Sequence, residues 1–214
     1  MQRKNKQKSN VRGSPPGRLR IVAGKWRSRL LPVADVAGLR PTSERVRETL
    51  FNWLAPVIEG ARCLDLYAGT GALGIEALSR GAALAEFVEN SRLAVNALRS
   101  SIELLGATNA SVHEADAEAF LRSGCRAPFN LVFLDPPFAT DRYEELCRLL
   151  ADHGWLAKGA QVYLEQSSSQ QFPRLPDDWE LLKKKTAGNV RYSLIRTELT
   201  GAVDGTCSDV SGHL

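Results

Sequence analysis

The chain has 214 residues, 43% of them apolar and 24% charged, which suits one α/β domain of ordinary size and excludes wholesale disorder. No apolar run approaches the roughly 20 residues of a membrane span, and the basic start lacks the apolar stretch of a secretory leader, so a cytoplasmic protein with no membrane partner is expected. The net charge of +4 is unevenly spread: residues 1–30 hold ten cations and no acid, leaving 18 cations against 24 acids in the rest.

Residues 1–17 are read as a basic disordered arm, either a polyanion-binding tail or a solvated one. Residues 18–39 form the next unit. Leu19, Ile21 and Trp26 alternate with Arg18, Arg20, Lys25, Arg27 and Arg29, and Gly24-Lys25 supplies a turn. This predicts a small β-hairpin with one packed and one cationic face, Trp26 lying on the packed face. Arg40-Pro-Thr-Ser then leads into a helix. Thr42 or Ser43 can cap it, Val46, Leu50, Trp53 and Leu54 make its apolar stripe, and Pro56 stops it. Arg45 and Arg47 fall off the stripe and are expected to be available to a ligand or to solvent.

Strand and helix signals alternate after Gly60. Strands are predicted at 62–67, 84–89, 110–113, 130–134 and 161–165, with helices after the glycine loop to Gly81 and at 91–105, 117–122 and 142–150. The end changes character, because 179–186 and 190–196 flank Gly188-Asn189, a two-residue hairpin signal. The pattern is five βα units followed by an antiparallel hairpin. Residues 40–199 make the main domain, and 200–214 read as a disordered tail. The four cysteines form no C-x-x-C pair and only three histidines exist, so neither a zinc site nor a disulfide framework is expected.

The first long strand ends in Leu64-Asp-Leu-Tyr-Ala-Gly-Thr-Gly-Ala-Leu-Gly. Gly69, Gly71 and Gly74 spell G-x-G-x-x-G, and Glu89 lies twenty residues past Gly69, a spacing that also fits a dinucleotide site. Asp65 decides against that reading, since a carboxylate there repels a pyrophosphate and attracts a cation. S-adenosylmethionine carries an ammonium and a sulfonium and no phosphate. Asp65, Tyr67, Gly69 and Gly71 are therefore candidate cofactor residues. Glu89 would accept the ribose hydroxyls, and Asp116 with the Ala117 amide would read the adenine.

The strand at 130–134 stops at Asp135-Pro136-Pro137-Phe138. An exocyclic base amine is a poor nucleophile, because its lone pair is delocalised into the ring. The Asp135 carboxylate and the Pro136 carbonyl can each accept one of its N–H groups and free that pair. The two prolines stiffen the turn, and Phe138 offers a face for a flipped base. The expected result is in-line methyl transfer, driven by positioning and charge complementarity.

These residues resemble a known family. Asp-Pro-Pro-Phe resembles the motif of amino-group methyltransferases. The blocks Arg-Ile-Val-Ala-Gly-Lys-Trp-Arg-Ser-Arg, Arg40-Pro-Thr-Ser-Glu-Arg-Val-Arg-Glu-Thr-Leu-Phe-Asn-Trp-Leu and the glycine loop are similar to the bacterial 16S ribosomal RNA guanine-N2 methyltransferases of the RsmD type. The likeness runs from about Arg18 to Arg196, and the arm before it is a departure. It implies a Rossmann-like class I methyltransferase fold. That fold has a seven-stranded, mostly parallel sheet, a C-terminal antiparallel hairpin and a small N-terminal hairpin. It also implies action on a guanine of 16S rRNA in an assembled or assembling 30S particle; a monomer is expected. It assigns catalysis to Asp135, Pro136 and Phe138, and sets Arg40, Thr42 and Arg47 in a block closing over cofactor or RNA. Adenine-N6 methylation of DNA or RNA is the alternative on the same acidic turn. An NAD-binding oxidoreductase and a non-enzymatic RNA-binding assembly factor are the alternatives of other classes.

Overall fold

A computed structural model describes residues 17–34, 42–125, 127–137 and 141–197. Arg40, Phe138, the basic arm up to residue 16 and the tail from 198 lie outside the described residues, with the expectations attached to them.

Two short strands, β1 (Arg18–Arg20) and β2 (Leu30–Pro32), pair antiparallel. The hairpin expected around Gly24-Lys25 is thus present, but the connection is not a tight two-residue turn. It is drawn onto the following domain instead. Backbone N–H groups of Val22 and Ala23 donate to the Glu76 carboxylate at 2.8 and 3.0 Å, and those of Lys25 and Trp26 donate to the Ser79 carbonyl and hydroxyl. Gly24 has φ +80° and sits so close to Ser79 that an added Cβ would lie 1.8 Å from its carbonyl oxygen. Trp26 is buried, as the alternation implied.

Helix α1 (Glu44–Leu54) is capped by the Ser43 hydroxyl, which accepts from the Val46 N–H. It buries Val46, Leu50, Phe51 and Leu54, while Trp53 is half-buried and stacks on Tyr192. The parallel units follow. They are β3 (Arg62–Asp65), α2 (Ala72–Ser79), β4 (Leu84–Glu89), α3 (Arg92–Leu105), β5 (Ala110–Glu114), α4 (Ala117–Arg122), β6 (Phe129–Leu134) and α5 (Tyr143–Asp152). Strand β7 (Leu156–Ser167) is much longer than the predicted 161–165. Its start pairs with Phe129 across an irregularity, and its end is carried on to Ser167 by antiparallel pairing. Strands β8 (Trp179–Ala187) and β9 (Val190–Thr197) close the chain through the Gly188-Asn189 turn.

The sheet order is β5-β4-β3-β6-β7-β9-β8, with β9 antiparallel between β7 and the edge strand β8. It is the seven-stranded, mostly parallel arrangement with a terminal hairpin that was expected. Strand order reverses between β3 and β6, the place where open α/β sheets bind ligands beyond the strand C-termini. Two apolar layers flank the sheet. One holds the N-terminal hairpin, α1 and α2 together with Phe87, Phe133 and Tyr192, and the other packs α4 and α5 against Val132, Leu134 and Leu164. No helix among the described residues is long and apolar enough to cross a membrane.

Candidate active site

Strand β3 delivers Asp65 to the switch point, 2% exposed. Its Oδ2 accepts the Gly74 N–H at 3.0 Å, at the start of α2. The glycine loop between them bends back sharply, with φ +53° at Gly69 and +74° at Gly71. Gly74 serves packing, because a Cβ there would lie 2.2 Å from Phe87 Cε1. The Gly69 amide donates to Glu89 Oε2 at 2.9 Å. Glu89 Oε1 accepts from the Ser91 N–H at 2.7 Å, which fixes the carboxylate at the end of β4. Asp116 caps α4 by accepting the Ala119 N–H, and it remains exposed beside the buried Ala117. Tyr67 is half-buried, and burial together with the Asp116 charge pushes its hydroxyl up to about 12. The expected cofactor residues therefore line one edge, on the ends of β3 and β4 and the start of α4.

Asp135 follows β6 directly, next to β3 in the sheet; the Leu66 N–H donates to the Phe133 carbonyl at 3.1 Å, just before the turn. Pro136 is buried and Pro137 exposed. Thr42, expected on the cofactor, is 9% exposed and turns toward this corner, its Oγ1 donating to Asp135 Oδ2 at 3.3 Å. Sequence reasoning missed Glu165, which stands one strand over on β7, one residue past the Leu134–Leu164 pair. It is 5% exposed, and its Oε2 accepts the Tyr163 hydroxyl at 2.5 Å. The signal available in the sequence was an acid at the end of a strand otherwise apolar, Val-Tyr-Leu-Glu.

Three carboxylates thus crowd the ends of adjacent strands. Burial pushes Asp65 up to about 7, opposed by the Gly74 hydrogen bond and reinforced by Glu89. Burial, then the charges of Glu165 and Asp65, hold Asp135 well above the usual carboxylate range, against the pull of Thr42. Glu165 is raised by burial as well. Among the described residues no cation forms an ion pair with Asp65, Glu89, Asp135 or Glu165. Such a cluster of acids with no paired cation is electrostatically suited to a positively charged ligand. A sulfonium with an ammonium fits that donor set, and a pyrophosphate does not.

The hairpin cations Arg18, Arg20, Lys25, Arg27 and Arg29 are all exposed. Arg20 lies 3.7 Å from Glu44, and Lys25 sits over the Trp26 ring at 5.4 Å. Arg47 corrects the expectation of an accessible RNA contact, since it is 2% exposed. Its guanidinium pairs with Glu76 at 3.2 Å and donates to the Thr42 and Arg20 carbonyls at 3.2 and 2.8 Å. Off the apolar stripe here means facing a buried acid on α2 rather than water.

A family model described as Conserved hypothetical protein 95 matches residues 19–196. The chain is 49% identical over 197 residues to the Ribosomal RNA small subunit methyltransferase D of Escherichia coli strain K12, covering 92% of this chain and 98% of that relative. The protein of the same name from Haemophilus influenzae is 43% identical over 181 residues, covering 83% of this chain and 93% of its own length. The solved structure of yhhF from Escherichia coli superposes with a TM-score of 0.80 at 47% identity, covering 85% of this chain and 99% of that one.

Proposed function

The chain belongs to the Conserved hypothetical protein 95 family and is a methyltransferase; from that premise we propose that it methylates the N2 amine of a guanine in small-subunit ribosomal RNA, with S-adenosylmethionine as donor. The observation that carries this reading is the juxtaposition of the acidic Asp135-Pro136 turn with the glycine loop, on neighbouring strands at the switch point of the sheet. The names of the relatives support an RNA acceptor. A monomer acting on an assembled or assembling 30S particle fits the single-domain fold and its cationic hairpin.

When bound, S-adenosylmethionine supplies a methyl group on a positively charged sulfur. Asp65 and the glycine-loop amides would hold its amino-acid end, Glu89 its ribose and Asp116 its adenine. Glu89 Oε1 and Oε2 each accept one amide and keep a lone pair for a hydroxyl. At the acceptor, Asp135 and the Pro136 carbonyl take the two N–H groups of the amine. Its lone pair is then free to form the new N–C bond as the S–C bond breaks toward sulfur. Asp135 receives the proton that the nitrogen gives up. Burial, with Glu165 and Asp65 beside it, makes it a stronger base than an exposed aspartate, which suits this task. Thr42 Oγ1 fixes the carboxylate in place.

Incubating the full chain with labelled donor and either naked 16S rRNA or 30S particles, then analysing nucleosides, tests the reading. N2-methylguanosine is the expected product. Methyladenosine as sole product would remove the guanine assignment and favour the adenine-N6 alternative. The Asp135→Ala variant is expected to bind donor and RNA while losing about 10² or more in rate.

A further inference from the structure

The edge strand β8 separates its charges by position. Asp177, Asp178 and Glu180 stand at or just before its start, and Lys183, Lys184 and Lys185 near its end. All three lysines are exposed, and none of their side chains makes a hydrogen bond or ion pair among the described residues. Most arginines of the same body are engaged. Arg80 holds Glu76, Arg122 and Arg148 hold Glu145, and Arg191 donates to the Gln170 and Ser168 carbonyls. A run of free cations is exceptional on a domain whose balance outside the first 30 residues is acidic.

Register places this run beside the active edge. Lys185 pairs with Tyr192, and Tyr192 pairs with Glu165, the neighbour of Asp135. Three strand spacings of about 4.8 Å put the Lys185 backbone roughly 14 Å from the catalytic turn. Paired residues share a face, so Lys183 and Lys185 lie on the side of Leu194 and Tyr192, the face covered by α1 and the N-terminal hairpin. The cations of the hairpin and those of β8 therefore lie on one face of the sheet, with α1 between them.

We propose that Lys183 and Lys185 form a phosphate-binding ridge for the RNA, a second anchoring point across α1 from the hairpin cations. The inference rests on the RNA acceptor proposed above. Charged residues on an edge strand also prevent sheet-to-sheet pairing between copies. That role accepts charge of either sign, whereas binding a phosphate requires a cation, and the difference defines the test.

Binding of the full chain to a 16S rRNA fragment is measured by fluorescence anisotropy over a range of potassium chloride concentrations. The parent chain is compared with K183T/K185T, K183E/K185E and, as a control, K158T, an exposed lysine near the opposite end of β7. K183T/K185T is expected to weaken binding about tenfold and to flatten the plot of log affinity against log salt by about 0.7 for each phosphate no longer neutralised. K183E/K185E should bind RNA more weakly still, while remaining soluble and keeping its donor affinity. K158T should match the parent. An unchanged salt slope in K183T/K185T, or binding retained by K183E/K185E, overturns the ridge. A parent chain that methylates no rRNA overturns the proposed function instead, and the methylation assay reads that separately.

Discussion

The role proposed for Asp65 makes donor binding a proton-linked event. In the ligand-free protein its carboxyl is pushed up to about 7, chiefly by burial. A cation arriving beside it stabilises the ionised form, so binding must expel the proton that Asp65 carries below that pH. The sign follows directly. Above 7 the carboxylate is already charged and affinity is at its plateau; as pH falls below 7, each unit costs about tenfold. Between pH 7.5 and 5.5 the protonation of this carboxyl alone should raise the dissociation constant for S-adenosylmethionine about 25-fold. Isothermal titration calorimetry in buffers of different ionisation heat reads both the affinity and the released proton, close to one per site at pH 6. Asp65→Asn should bind more weakly at pH 8 and lose most of the slope, isolating this group from Glu89, Asp135 and Glu165. The same raised pKa opposes folding of the ligand-free chain as pH rises from about 4 to 7, and Asp65→Asn should remove that slope from its melting temperature. An affinity flat from pH 5.5 to 7.5, or an Asp65→Asn variant with the parent's slope, would refute the account.

Glu165→Gln keeps an acceptor for Tyr163 but removes a charge that raises Asp135. The acid limb of the methylation rate should move to lower pH, and a limb that stays in place would deny Glu165 this role. Arg47→Met strands Glu76 with fewer partners in a buried site, an expected loss of about 3 kcal/mol. That corresponds to roughly 9 °C in melting temperature for a domain of this size, checked by calorimetry. Gly74→Ala drives a methyl toward the buried Phe87 ring, so a loss of about 1–3 kcal/mol is expected in urea unfolding.

What the sequence discloses here is local chemistry. Helix α3 was readable at both ends, because Ser91 caps it through the Ala94 N–H and Gly106 ends it at φ +63°. The span of α4 was readable too, whereas the Asp116 cap that starts it, a residue read as an adenine contact, is visible only in the structure. Strand β6 stands out by its dense apolar run, and the two corners of the site, Asp65 and Asp135, by standing at strand ends. What escaped depends on pairing across long separations. Arg47 reads as a surface cation until Glu76, 29 residues on, is folded against it. Gly24-Lys25 reads as a hairpin turn until Ser79 draws the segment onto α2. Glu165 is the lone acid between Asp152 and Asp177 and reads as an ordinary polar strand end, and only the register of β7 against β6 sets it beside Asp135. Composition and spacing carry no information about such pairings.

Those long-range pairings also explain why the N-terminal hairpin cannot be regarded as a detachable RNA clamp. Glu76, 1% exposed in the middle of α2, takes N–H groups from Val22 and Ala23, the Arg47 guanidinium and Arg80. Arg47 in turn donates to the Thr42 carbonyl, and the Thr42 hydroxyl donates to Asp135. A continuous run of hydrogen bonds therefore joins the hairpin backbone to the acidic turn, passing through the helix that begins at the glycine loop. Each link is buried or nearly so, and breaking one leaves a polar group without water. The hairpin is consequently held in a fixed position relative to both halves of the site. On the proposed reading, RNA held by its outer cations would meet an acidic corner whose placement is already set, which is the preorganisation that a positioning-dominated methyl transfer requires.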